Sequence, residues 1–328
     1  MSASVPEDLQ ISVGKTTTKL YLNDDNSWLV PSGTVAVAPN ENNMWSNIVK
    51  IDHYYSIGRL IPASSINGTN IFFTPDAMEE GKDVQTNAKY FQAATGLTPT
   101  KSGTSMMATL HAKTDTSDGW AAPSGSTYSG ATTYANTNDD GYYVDIPVWI
   151  RTSSDSDVGI TVKGYVKSGG SGSISTASGA TDELYKATRV AILNESGTNV
   201  TSGTINLKDG SGTGWTGSTS IVDYYGTNAA HKVASGAVKA AAPTGVGGVN
   251  DPENPTATKQ AEWNAVYGTA QVYDGTTSIA TIAGSGKNST YGAPTKLWIR
   301  VWLEGEDPEC WNQNAGQDWN ISLKFEKM

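Results

Sequence analysis

The chain is poor in the residues that usually carry reaction chemistry. One cysteine, Cys310, and three histidines, His53, His111 and His231, are scattered over 328 residues. A single thiol leaves no intrachain disulfide, and the histidines have no metal-type spacing. No His-Glu-x-x-His and no Gly-x-Ser-x-Gly elbow occurs, so zinc and nucleophile chemistry have no signature here. Charged residues make up 16% of the chain, against roughly 25% in an ordinary soluble domain. The net charge is −10, and no Lys/Arg cluster of the kind that grips phosphate backbones is visible, which argues against a nucleic-acid partner. No run of about 18 apolar residues exists, so the chain is not expected to span a membrane.

What fills the space is Gly, Ser, Thr and Asn, with 35 glycines. Such a composition suits turns and Thr-rich strands and suits long helices badly. Ten Trp and 15 Tyr separate the chain from disordered sequences, which are poor in aromatics.

Period-two alternation is the strongest pattern. In Tyr142–Arg151, Val144, Ile146, Val148 and Ile150 share one face, while Tyr143, Asp145, Trp149 and Arg151 share the other. Successive strand side chains point to opposite sides, so this reads as a half-buried strand. Pro147 cannot donate to a ladder and suggests an edge or a bulge. Lys296–Glu304 repeats the arrangement, with Leu297, Ile299, Val301 and Leu303 inward and Trp298, Arg300, Trp302 and Glu304 outward. Ile160–Val166, Arg189–Leu193 and Ile321–Phe325 alternate too, and turn clusters such as Ser153-Ser154-Asp155 and Asp274-Gly275 separate them. Helical signals are short: one or two turns over Asp182–Thr188 capped by Thr181, and ambiguous stretches at Asp76–Ala94 and Thr258–Tyr267.

The fold expected is all-β, an antiparallel, jelly-roll-like β-sandwich with long loops and a few short helices. Residues 1–328 form a single elaborated domain, with 1–180 and 181–328 as candidate sub-units. Asp145-Ile-Pro-Val-Trp-Ile-Arg and Thr295-Lys-Leu-Trp-Ile-Arg look alike, either as two related β units or as two strands solving one packing problem. Ala241–Pro255 is a candidate long loop or boundary.

Three groups of residues invite a functional reading. Asn136, Asn138 and Asp140 precede Gly141 like the first half of a calcium loop, but the twelfth position holds Pro147 instead of a bidentate Glu. A hairpin turn gives the same letters, and calcium is the only cofactor this pattern suggests. The acidic run Glu304-Gly-Glu306-Asp307-Pro-Glu309 reads as a solvated loop, since glycosidase carboxylates must face each other across a sugar. The outward residues Trp149, Arg151, Trp298, Arg300 and Trp302 fit a binding surface that stacks on sugars or fills a partner's pocket. They fit equally well beneath covering loops or a second sheet, because exposed aromatic stripes invite aggregation. Gly212-Thr213-Gly214-Trp215-Thr216-Gly217 matches a dinucleotide fingerprint by letters only, because the strand-like Ser218–Val222 follows where a helix is required.

The segments Leu297–Asn312 and Gly316–Phe325, with Val144–Val166 and Arg189–Leu193, resemble exported Gram-positive surface proteins of the TasA/camelysin biofilm-fibre type. The resemblance covers about a third of the chain and consists of packing residues. It implies a jelly-roll-like sandwich, export with leader removal, and a role in matrix fibres or adhesion. Met1 then reads as an added start. No metalloprotease motif accompanies the resemblance, and no enzyme activity is expected. Fibres of this type join by donor-strand complementation, in which one subunit's terminal strand pairs with the next subunit's sheet edge. The expected function is a secreted structural subunit of a surface fibre or biofilm matrix, whose partner is itself. The alternative is a surface adhesin recognising a host surface or secreted protein, such as immunoglobulin, or a glycan.

Overall fold

The computed structural model describes residues 1–13, 45–57, 60–63, 65, 68, 141–169, 183–210, 215, 217–221, 272–287, 289–304, 307, 310 and 317–328, with five short strands between 72 and 112. The chain opens with β1 (Ser2–Ser4) and β2 (Leu9–Ser12), then β3 (Ile48–Lys50) and a one-turn helix, α1 (Ile51–Tyr54). Six short strands follow: β4 (Tyr55–Ile57), β5 (Phe72–Phe73), β6 (Gln92–Ala93), β7 (Thr100–Lys101), β8 (Thr104–Ser105) and β9 (Leu110–Ala112). The long strands are β10 (Tyr143–Thr152) and β11 (Val158–Ser168), then β12 (Thr188–Asn194) after a 3-10 turn at Leu184–Ala187. The short β13 (Thr204–Ile205), β14 (Lys208–Asp209), β15 (Val272–Tyr273) and β16 (Ala280–Ile282) precede β17 (Thr295–Leu303) and β18 (Trp319–Lys327). The chain is all-β, as expected, and each alternating segment of the sequence lies in or on one of these strands.

Two sheets carry the core. One is antiparallel, in the order β12-β17-β10-β2. The other has six strands, β14-β11-β18-β1-β3 with β16 also on β11. This second sheet is mixed, which corrects the wholly antiparallel expectation: β1 runs parallel to β18, and β14 runs parallel to β11. A parallel pair needs a long crossover, and here nearly the whole chain separates β1 from β18.

The aliphatic residues of β10 and β17 meet Ile160, Val162, Leu323 and Phe325 from β11 and β18 in one buried cluster. Each such side chain contributes roughly 1.5–3 kcal/mol on burial. Strands from both halves of the chain interleave in this cluster, since β2 and β10 sit beside β12 and β17. The two look-alike segments are antiparallel neighbours, with Asp145 opposite Arg300 and Trp149 opposite Lys296.

Some local expectations need correction. β10 is buried on both faces rather than half-buried. Pro147 is in a strand with neighbours on either side, yet the described pairing of β2 covers only Trp149–Thr152, so at position 147 the described partner is Trp298 alone. The missing N–H therefore costs no ladder bond on the side described. The turn at 184–187 has Glu183 at its N-cap with no side-chain cap bond, and Thr181 lies outside the described residues. Gln92–Ala93 is strand where the sequence was ambiguous for helix, while 241–255 and 258–267 lie outside the described residues. No helix among the described residues is long and apolar enough to cross a membrane.

Candidate functional site

Pairing of β10 with β17 gathers the sequence's candidate binding residues on one face of the antiparallel sheet, where Trp149 and Trp298 join the main core and Trp302 a second, smaller cluster. Register pairs Tyr143 with Trp302, Asp145 with Arg300, Pro147 with Trp298 and Trp149 with Lys296. The structure thus brings Trp149, Arg151, Trp298, Arg300 and Trp302 onto one surface, and then covers most of it. Trp302 is fully buried, Trp149, Arg151 and Arg300 are buried, and only Trp298 is half-buried. Of the two readings of these aromatics, the covered one describes the molecule.

The cover comes from chain far away in sequence. Ala63 bridges to Glu304, and Ala63, Tyr142, Tyr143, Ala191 and Trp302 form a second small cluster with Ile61 against it. The Glu304 carboxylate accepts from the Ser65 backbone N–H at 3.0 Å and the Trp302 indole N–H at 3.4 Å. The Ser65 hydroxyl in turn accepts from Gly68 N–H at 2.9 Å. Gly68 adopts φ 68, and a Cβ there would stand 2.7 Å from Ala191 Cβ, so only glycine lets this segment lie so close to the sheet.

Charges under the cover are paired. Arg300 grips Asp145 with two bonds of 2.7 Å, donates to Gly68 carbonyl at 2.9 Å, and lies 4.4 Å from the centre of the Tyr143 ring. Burial alone would lower the Arg300 pKa, but the hydrogen bond and charge of Asp145 outweigh it and leave it raised. Burial also raises the Tyr143 pKa, with Arg300 opposing and Asp145 reinforcing. Deeper still, Arg189 Nη2 meets Asp307 Oδ2 at 2.6 Å with neither side chain exposed. Arg189 also donates to the carbonyls of Lys186 and Thr188 at 2.8 and 3.1 Å.

Arg151 marks the other end of the face. Its guanidinium donates twice to Gln10 Oε1, at 3.0 and 2.7 Å, and is stacked between Trp45 and Tyr291 with ring-centre distances of 4.3 and 3.8 Å. Burial lowers its pKa to about 10, against a smaller opposing effect of Tyr291. Lys296 lies over Trp298 and Trp149, and burial lowers its pKa as well, with Glu195 opposing.

This arrangement is structural glue, an aromatic and ionic second core. The acidic run is corrected accordingly: Glu304 and Asp307 are buried and satisfied from within the chain, not solvated. Sequence reasoning missed the Arg189–Asp307 pair and the role of Ala63–Gly68 because nothing local announces contacts between such distant segments. Asn136, Asn138 and Asp140 lie outside the described residues, as does His231. His53 and His111 fall in α1 and β9. Asp157 Oδ1 accepts from Gly284 N–H at 2.9 Å and ties together two segments distant in sequence. Among the described residues, no group of three or more His, Cys, Asp or Glu is placed to hold a metal ion.

The N-terminal segment stitches both sheets together. β1 sits between β18 and β3, while β2 borders β10 in the other sheet. Ala3, Val5, Leu9, Ile11 and Val13 all enter the main core. Backbone bonds from Val5 N–H to Asn47 O at 2.9 Å and from Ile51 N–H to Met1 O at 2.9 Å fasten the segment.

Compared with known proteins, the chain matches no family model, no curated protein and no solved structure.

Proposed function

We propose that this chain is a structural subunit of an extracellular bacterial surface fibre or biofilm matrix, and that its partner is another copy of itself. The observation that carries the reading is the placement of β1. A three-residue strand occupies an interior position of the six-stranded sheet, parallel to β18. Its ladder is short, and a short strand flanked by apolar anchors is the kind of element that copies of a chain can exchange. The apolar side chains of residues 1–13 fit slots in both sheets, so the same segment supplied by a neighbouring subunit would satisfy the same groups. Composition supports the reading as well, since few charges and many Gly, Ser and Thr suit a static β scaffold.

An exposed Trp/Tyr patch would favour the adhesin alternative. Trp149 and Trp302 are buried, so that surface is not built from them.

Electron microscopy of the native-length protein tests the proposal. Fibres are expected, and an excess of synthetic peptide spanning residues 1–13 should cap and shorten them. Monomers alone, under every condition of concentration, pH and salt, would refute it.

A further inference from the structure

Lysines dispersed along the sequence converge on the outer face of the six-stranded sheet. Alternation on β11 turns Lys163, Tyr165 and Lys167 away from the core. Register sets Lys324 of β18 opposite Lys163, and Lys208 of β14 opposite Tyr165. Lys163 keeps 47% of its side chain exposed while pairing with Glu326 at 2.6 Å. Aromatic rings lie among these cations. The Lys167 ammonium is 4.4 Å from the centre of the Trp215 ring, and the Lys324 ammonium is 4.9 Å from that of Tyr165. Lys324 also donates to the Trp215 carbonyl at 3.4 Å.

Trp215 is held there under strain. Its φ of 55 is left-handed, which costs a non-glycine residue roughly 1–3 kcal/mol and tends to persist where a function requires it. Gly210 makes the placement fit, since a Cβ at that position would come within 2.9 Å of the Trp215 ring. Lys167, Lys208 and Lys324 share this sheet face with the Lys163–Glu326 pair, a local surplus of positive charge on a chain whose net charge is −10. Charge and aromatic ring alternate along β11 at steps of about 6.6 Å, twice the strand rise.

We infer that this face binds an acidic polysaccharide. The lysine ammonium groups meet its carboxylates, and Tyr165 and Trp215 lie against the apolar faces of its sugar rings. A repeating chain of charged rings uses both halves of the pattern. A polyphosphate uses only the cations. The inference does not rest on the fibre reading.

Calorimetry of the full chain tests it with alginate as the acidic polysaccharide, dextran as the neutral one and inorganic polyphosphate as the ring-free polyanion. Alginate should bind, dextran should not, and alginate affinity should fall roughly tenfold between about 50 and about 200 mM salt, as a few released counterions require. The Lys167→Gln/Lys324→Gln variant should lose alginate and polyphosphate together. Trp215→Ala should weaken alginate about fivefold and leave polyphosphate unchanged, with Trp215→Phe retaining most of the alginate affinity. Near-UV circular dichroism checks that each variant is folded. Alginate bound no better than dextran, or bound equally by the lysine variant or by a folded Trp215→Ala variant, would overturn the inference. Salt-sensitive self-association that disappears in the lysine variant, without alginate binding, would assign the face to a second copy instead.

Discussion

Arg189 and Asp307 form an ion pair with no solvent contact, and such pairs matter most when one member is lost. Taking two charges from water is costly, and the remaining bonds to Lys186 and Thr188 offset that cost only while the carboxylate is present. Asp307→Asn should therefore destabilise the fold by about 3–5 kcal/mol in urea unfolding, because a guanidinium stays buried without its counter-charge. Replacing both residues by apolar ones of similar size, Arg189→Met with Asp307→Leu, should cost clearly less than the single change. Tyr143 gives the pH signature of the same region. Its folded pKa is raised above the unfolded value of 10.0, so its contribution to stability is intact below pH 10 and is lost as pH rises through the folded value. Ultraviolet titration should show tyrosine ionisation extending above the usual range, and part of that late titration should vanish in Tyr143→Phe. Little of this was legible beforehand. The run Glu304–Glu309 is acidic on paper, but which carboxylates turn inward depends on Arg189 and Ser65, 118 and 239 positions away.

Strand elements were far easier to read than residue roles. β10, β11, β12, β17 and β18 fall where side chains alternate, because a sheet face packed on the main core demands an aliphatic at every second position. The pattern could not say what covers the other face. Trp149, Arg151, Arg300 and Trp302 alternate with the core residues just as exposed residues would, and contacts from distant segments change their meaning: Ala63, Ser65 and Gly68 beside Arg300 and Trp302, and Trp45 and Tyr291 against Arg151. Gly68 is the tightest point of that cover. Gly68→Ala combines a left-handed φ with a 2.7 Å approach to Ala191 Cβ and should cost roughly 1–3 kcal/mol in thermal or chemical unfolding. Adding Ala191→Gly should recover the steric part of that loss and leave the conformational part. Equal losses with and without Ala191→Gly would show that the segment does not press on the sheet there.

At the scale of the molecule, residues 1–13 matter more than their number suggests. They supply a strand to each main sheet and side chains to the shared core, so β1 and β2 work as one clasp. Nothing in Ser2–Ser4 announces this, because three polar or small residues carry no periodicity and their partner lies at the other end of the chain. Deleting the segment should leave a protein that binds hydrophobic dyes and aggregates, and added peptide of residues 1–13 should reverse both effects. The lysine face has the same character: alternation was visible on β11, but its convergence with Lys208 and Lys324 is a product of pairing alone.

Exchange of that clasp between copies is open to a direct trial. Ser2 pairs with Ser322 across the parallel β1–β18 ladder, where strands about 4.8 Å apart bring Cα atoms within disulfide range. One chain carrying Ser2→Cys is mixed with another carrying Ser322→Cys, and the mixture is oxidised after assembly, with the native Cys310 buried. The fibre reading predicts a disulfide joining the two different chains, formed in proportion to the fibres seen. If the doubly substituted chain closes its own bridge readily while the mixture yields no bond between chains, β1 belongs to its own subunit and the reading is contradicted.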